Sequence, residues 1–215
     1  MIANPTRRAF LETSRIAAEL IGQPAVQQRW RDPSALEALS VGGLAAHLGR
    51  AVLTVEDYLG KAAPTPAVDT LSAPRYFASM NVTGDAGKEL DAAVRKRGED
   101  AAAAGAAEVV ATVSDSLQRL AEQLALEPPT RLVSVIGERV LTLDEYLVTR
   151  LVELVIHSDD LAASVDLPPP NMPESALVST VDCLVEVARL RSGDLAVVRA
   201  LARRERDPLH ALRVF

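Results

Sequence analysis

The chain has 215 residues, of which 48% are hydrophobic, 24% charged and only 3% aromatic, a size that suits one large domain or one domain with a small appendage. The hydrophobic fraction excludes a disordered chain, and no uninterrupted apolar run approaches the ~20 residues needed to cross a bilayer. Lys and Arg number 23 against 29 Asp and Glu, a net charge of −6, which argues against a phosphate-binding face and so against nucleic acid.

Alanine and leucine dominate and alternating β-branched runs are scarce, so the chain reads as mostly helical. The opening MIANPTRRAFLE has arginines but no apolar segment behind them, so it is not a secretory signal, and a soluble cytoplasmic protein is expected. A first helix is predicted over residues 6–21, with Phe10, Ser14, Ala17 and Ile21 on one face and Gly22, Gln23 and Pro24 breaking it. A short turn and helix carrying Val26 and Trp30 follows. Ser40 is a good N-cap for a second helix running to about residue 60, striped by Leu44, Leu48, Val52, Val55 and Leu59. Residues 62–70 read as a loop that Pro74 extends, long enough for a lid or a crossover.

A helical stretch over 85–126 has weak points at Gly98 and Gly105. Its small-residue centre, DAAAAGAA, would allow close helix packing, and Pro128 and Pro129 end it. RLVSVIGERVLT is the one convincing β signal, a short hairpin turning at Gly137, with an irregular loop as the alternative. Thr142 and Glu145 have the spacing of a capping box, opening a helix to about residue 165 that stops before Pro168, Pro169 and Pro170. Helices over 174–191 and 194–204 complete the chain. The single cysteine, Cys183, excludes an internal disulfide framework and any multi-cysteine zinc site. The simplest architecture is all-α: a bundle of four long helices with a short hairpin or loop insertion and a small C-terminal helical appendage. Residues 1–167 would form the bundle and 168–215 the appendage.

The helix after Thr142 is apolar nearly all round, which predicts burial. Yet Tyr146, Arg150, Glu153, His157, Asp160 and Ser164 make one polar stripe, at steps of four and three. If buried, the stripe needs partners; the alternative is an edge stripe meeting water, and the pattern leaves both open. Glu153 and His157 lie one turn apart and can hold one metal ion. Of the three histidines, His210 falls in a ragged C-terminal segment expected to be exposed. His47 lies among Leu44, Leu48 and Ala51 on the inward side of its helix. It reads either as a core histidine satisfied by a neighbour or, with Glu153 and His157, as part of a two-histidine, one-carboxylate set with open positions. Catalytic zinc sites and non-haem iron sites both use that set.

Three segments carry a family resemblance over almost the whole chain. The first is Trp30 followed by PSALEALSVGGLAAHLGR, with its serine, valine, glycine and then leucine, alanine and histidine. The second is GERVLTLDEYLVTRLVELVIHSDDLAASV, with its Arg-x-x-Glu-x-x-x-His-x-x-Asp-Leu helix, and the third is RSGDLAVVRALARRE. The chain resembles the DinB/YfiT-like metalloenzymes, and within them the mycothiol-dependent maleylpyruvate isomerase group of actinobacteria. It departs from that pattern at Gly43, where relatives often have an acidic residue. The poorly patterned loop over 62–80 allows no substrate residue to be carried over.

The resemblance implies a DinB-like four-helix bundle with a divalent metal held by His47, Glu153 and His157, zinc first and nickel or iron(II) as alternatives. It also implies mycothiol, a low-molecular-weight thiol, as co-substrate, and hence an isomerase or S-transferase acting on a small electrophile. That fits a chain without an evident nucleophile of its own, since a buried lone cysteine is usually inert. A borrowed thiol on the metal would be deprotonated and nucleophilic. Asp160 could orient His157 or be a surface charge. Arg150 could hold a substrate carboxylate or pair with Glu153. The alternative functions are a metal-binding sensor or binding module without turnover and a zinc-dependent hydrolase. A monomer or homodimer without nucleic-acid or membrane partners is expected.

Overall fold

Helix α1 (Pro5–Ile21) starts where the Asn4 side chain accepts the Arg7 amide, with Pro5 at its first position, where no amide is needed. The computed structural model describes residues 4–37, 39–64, 69–80, 85–205 and 209–212, with backbone alone at 85–91, 209 and 210. The exposure expected of His210 therefore lies outside the described residues. After the short α2 (Pro24–Gln28), Ser40 caps α3 (Val41–Leu59) by accepting the Gly43 amide at 2.9 Å. The chain continues through α4 (Ala73–Ser79), α5 (Asp85–Ala102) and α6 (Ala106–Leu126). Strands β1 (Leu132–Val135) and β2 (Arg139–Thr142) then form an antiparallel hairpin that pairs Leu132 with Thr142 and Val135 with Arg139. Helices α7 (Leu143–Ser164), α8 (Glu174–Ser192), α9 (Asp194–Ala202) and α10 (Leu209–Leu212) follow.

The four-helix bundle is α1, α3, α6 and α7, each of α1 and α3 packing on both α6 and α7. Phe10, Ile21, Leu44, Leu48, Leu120, Leu124, Leu147, Leu151 and Leu154 are fully buried between them. Each such side chain contributes roughly 1.5–3 kcal/mol of hydrophobic stabilisation. Helix α5 lies on the outside of α3, and α8 covers α1, α4 and α7, burying Cys183 and Val187. Among the described residues no helix is long and apolar enough to cross a membrane.

Arg7 clips the bundle together at one end. It is 4% exposed, and its guanidinium donates to Asp144 Oδ1 at 2.8 Å and to the carbonyls of Leu124 (2.9 Å), Glu127 (2.6 Å) and Pro128 (3.1 Å). One side chain thus ties α1 to the open carbonyl end of α6 and to the first turn of α7, where helix ends leave backbone groups without partners.

Three local expectations are corrected. Pro74 does not extend a loop; it stands in the first turn of α4, where its missing amide is tolerated. The 85–126 stretch is two helices, broken where Gly105 takes φ +87°, a conformation with little steric cost only for glycine. The close helix approach is not at the alanine run but one turn earlier: a Cβ on Gly98 would sit 2.8 Å from the Gly43 carbonyl oxygen, so α5 and α3 touch backbone to backbone. Half of the Thr142 capping box forms, with Thr142 Oγ1 accepting the Glu145 amide at 3.2 Å. The Glu145 carboxylate instead accepts the Ala73 amide at 2.6 Å and caps α4.

The Gly43 departure has a physical counterpart. A capping box on α3 would need an acid at residue 43 to reach back to the Ser40 amide. Glu99 of α5 does this from outside, accepting the Ser40 amide at 2.7 Å and the Ser40 hydroxyl at 2.9 Å. A Cβ on Gly43 would collide with that carboxylate. Glu99→Ala is therefore expected to destabilise the protein by about 0.5–2 kcal/mol, the range for a lost cap. Gly43→Glu alone should also destabilise, whereas the pair together should recover much of the loss. Denaturant unfolding of the four proteins checks this, and strictly additive effects would refute the exchange.

Candidate metal centre

The polar stripe of α7 faces inward and finds partners. Its first member, Tyr146, is 2% exposed and donates its hydroxyl proton to Thr54 Oγ1 of α3 at 3.0 Å. Its last, Ser164, donates to the Asp160 carbonyl and accepts the Ala35 amide. Between them, Glu153 and His157 face His47 across the α3–α7 contact. One ligand atom from each of these three side chains lies within 4.8 Å of the others. Both imidazoles direct Nε2 at a single carboxylate oxygen: Glu153 Oε2 is 3.1 Å from His157 Nε2 and 3.7 Å from His47 Nε2. The rings meet edge to face with centroids 4.8 Å apart. All three side chains are about one-fifth exposed, so the cluster is sheltered yet reachable.

Asp160 lies where a histidine orienter belongs. Its Oδ2 is 3.0 Å from His157 Nδ1, which leaves Nε2 as the nitrogen turned toward Glu153. Arg150 places Nη2 4.0 Å from Glu153 Oε1, donates Nε–H to Thr149 Oγ1 and holds its guanidinium 5.0 Å from the centre of the Tyr146 ring.

Burial alone would lower the His157 imidazolium, but hydrogen bonds to Asp160 and Glu153 outweigh it and raise its pKa to about 9. Burial alone would likewise raise Glu153. The hydrogen bonds from His157 and His47 and the charge of Arg150 win, and the carboxyl is held well below its usual range. In the metal-free protein the His157 ring lies between the Glu153 and Asp160 carboxylates, which favour its protonated form, and the proton on Nε2 sits on the nitrogen that would hold a cation. Raised from 6.5 to about 9, it contributes stability that is complete below pH ~6.5 and is lost as the pH rises through ~9.

Two predictions follow directly from this arrangement. Metal must displace the His157 proton, so apparent metal affinity should rise about tenfold per pH unit up to about pH 9 and then flatten. Competition titrations at several pH values check it; a flat profile would show that no proton is displaced. Asp160→Ala should weaken metal affinity by about 10–100-fold without abolishing it. Unchanged affinity would return Asp160 to a surface charge.

The cluster opens onto a cleft of about 160 Å³, lined on the α3 side by His47, Arg50, Thr54 and Tyr58 and on the α7 side by Tyr146, Arg150 and Glu153. Tyr76 of α4, Val94 and Arg97 of α5 and Ile136 at the hairpin tip complete its wall. None of Arg50, Thr54, Tyr58, Tyr76 or Arg97 is singled out by the sequence reading. His47, Arg50, Thr54 and Tyr58 do follow a three-four-four spacing that marks one helix face, so that signal was present. Cys183 lies outside the cleft, buried on the inner face of α8, and burial together with the Glu145 charge pushes its thiol up to about 12.

A family model described as mycothiol maleylpyruvate isomerase N-terminal domain matches residues 11–162. The match runs from α1 to the end of α7 and takes in His47, Glu153, His157 and Asp160. No curated protein and no solved structure matches the chain. With the α1, α3, α6 and α7 bundle in place and most of its length matched, the chain belongs to the mycothiol maleylpyruvate isomerase N-terminal domain family.

Proposed function

We propose that the chain is a divalent-metal-dependent enzyme that adds mycothiol to a small electrophile and then isomerises the adduct or releases it as a conjugate. The observation that carries this reading is the convergence of His47 Nε2, Glu153 Oε2 and His157 Nε2, with His47 and Glu153 at the wall of a cleft. The donor set fits a divalent cation: two neutral-capable imidazoles, one carboxylate held ionised, and Asp160 fixing the orientation of His157. When bound there, a cation (zinc before nickel or iron(II)) supplies Lewis acidity and holds a coordinated thiol as thiolate.

The chain's own residues supply placement. His47 on α3 and the Glu153–His157 pair on α7 are set by a bundle core that does not depend on them. Tyr58, Tyr76 and Tyr146 wall the cleft, and Arg150 stands close enough to Glu153 to steady it or to turn to a substrate carboxylate. Cys183 is buried, with a thiol held protonated, so the nucleophilic sulfur comes from outside. A hydrolase is less well supported: Glu153 is the one carboxylate lining the cleft among the described residues, and Asp160 is engaged with His157. We also propose that residues 1–167 form the metal-binding unit and 168–215 an appendage; the family match ends at residue 162.

The test is metal analysis of the purified protein, then addition of mycothiol to a cobalt-substituted sample. A sulfur-to-metal charge-transfer band is expected, persisting in Cys183→Ser and absent in His157→Ala. Loss of the band in Cys183→Ser would make the protein's own thiol the ligand. Full metal occupancy without any band would overturn the thiol reading. A band without turnover on a panel of electrophiles would leave a binding module.

A further inference from the structure

The cleft beside His47, Glu153 and His157 is lined by three arginines from three helices: Arg50 of α3, Arg97 of α5 and Arg150 of α7. Glu153 is the one carboxylate that faces them there among the described residues. Arg150 is engaged with Thr149 and Tyr146 and stands beside Glu153. Arg50 and Arg97 have neither a carboxylate nor a carbonyl partner among the described residues. Several other arginines are tied to carboxylates: Arg7 to Asp144, Arg119 to Glu56, Arg131 to Glu127 and Arg189 to Glu186 and Asp194.

We infer that Arg50 and Arg97 form a clamp for an oxyanion, a carboxylate first, carried by the small electrophile. Three like charges around one small cavity repel one another, and an anion placed among them relieves that repulsion. The guanidinium fork matches the two oxygens of a carboxylate or of a phosphate, and such bonds are about twice as strong as neutral ones. Ala51, Val94 and Ile136 add apolar wall beside the guanidinium groups. At about 160 Å³ the cleft is well below the ~300 Å³ of a pocket for a drug-sized ligand, so it takes a small acid.

The fold also accounts for the reach of Arg97. Its neighbour Gly98 is the residue whose missing Cβ lets α5 touch the backbone of α3 at Gly43. Four positions further along α3 stands His47, and one turn beyond it Arg50. The two glycines thus bring an arginine from a helix without metal ligands to the edge of the ligand cluster. The inference rests on the proposed function only in naming the electrophile as the ligand; anion binding itself requires neither metal nor thiol.

The test is calorimetric titration of metal-free and metal-loaded protein with succinate, its uncharged diamide and inorganic phosphate. Wild type is compared with Arg50→Gln, Arg97→Gln and, as a charge control on the same helix, Lys96→Gln. Succinate should bind both forms of the wild type, and each arginine variant should weaken it about tenfold or more, with Lys96→Gln and the diamide showing neither effect. Tighter binding of phosphate with the same arginine dependence would support the clamp and assign it to a phosphate-bearing ligand. Succinate binding that both arginine variants leave unchanged would overturn it, as would no binding of either anion. If succinate bound the metal-loaded form alone, whatever the arginines, the clamp would fail and the metal reading would stand. Arginine-dependent binding in a protein that never retains metal would do the reverse.

Discussion

Alanine at His47 or at His157 should remove most of the bound metal, weakening affinity about a hundredfold or more, while circular dichroism still reports a helical protein. The reason is the division between site and core. The bundle is held by fully buried residues such as Leu44, Leu48, Leu147, Leu151 and Leu154, none of which touches metal chemistry, whereas a zinc finger has no fold without its ion. The two positions are not equivalent for stability. His157 is the partner of both Glu153 and Asp160, so alanine there leaves two sheltered carboxylates without it, a loss of about 1–3 kcal/mol. His157→Gln retains donor capacity at that position and separates metal loss from destabilisation. Metal content and melting curves on the same samples decide the matter. Full metal retention in both alanine variants would remove the site assignment.

Arg7→Ala should be among the most damaging single changes away from the cleft, costing about 3–5 kcal/mol, the range for breaking a buried charge pair. At roughly 2–4 °C per kcal/mol for a chain of this size, that lowers the melting temperature by about 10 °C. The substitution leaves Asp144 without its guanidinium and the carbonyls of Leu124, Glu127 and Pro128 without their donor. Arg7→Lys should recover only part of the loss, because an ammonium cannot span a carboxylate and three carbonyls with the same planar fork. Metal affinity measured below the melting transition should be unchanged in both variants. A melting shift of under a degree or two would show that the clip contributes nothing net.

What was legible in the sequence was mostly what the chain does with its neighbours along the backbone. Ser40 and Thr142 are caps in the structure because a hydroxyl three residues before an amide is a local geometry. The hairpin about Gly137 is local for the same reason. Glu153, His157 and Asp160 share one helix, so their mutual reach follows from a pitch of 3.6 residues. Pro74, by contrast, has the same local signature in a loop and in the first turn of a helix. The choice is made by Glu145, which caps α4 from α7, and by the Leu71 amide, which donates to the Val140 carbonyl on the hairpin. Glu99 at the start of α3 is another such case, since a cap supplied from a different helix leaves no spacing to read. Whether the α7 stripe met water or protein was likewise undecidable without Thr54 and His47 brought across from α3.

The three converging groups are unequally distant along the chain. Glu153 and His157 become neighbours as soon as one turn of α7 winds, on a timescale of microseconds or less. His47 joins them only when α3 has docked, after closure of a loop of about a hundred residues, one of the slower events in the folding of a helical chain. The site is thus assembled in two kinetic stages, a two-donor half first and the third donor with the finished bundle. In the finished protein the order reverses: a brief parting of α3 from α7 withdraws one donor while both helices stay wound. An ion held by all three donors is therefore expected to exchange through breathing of that helix pair and not through unfolding of the chain.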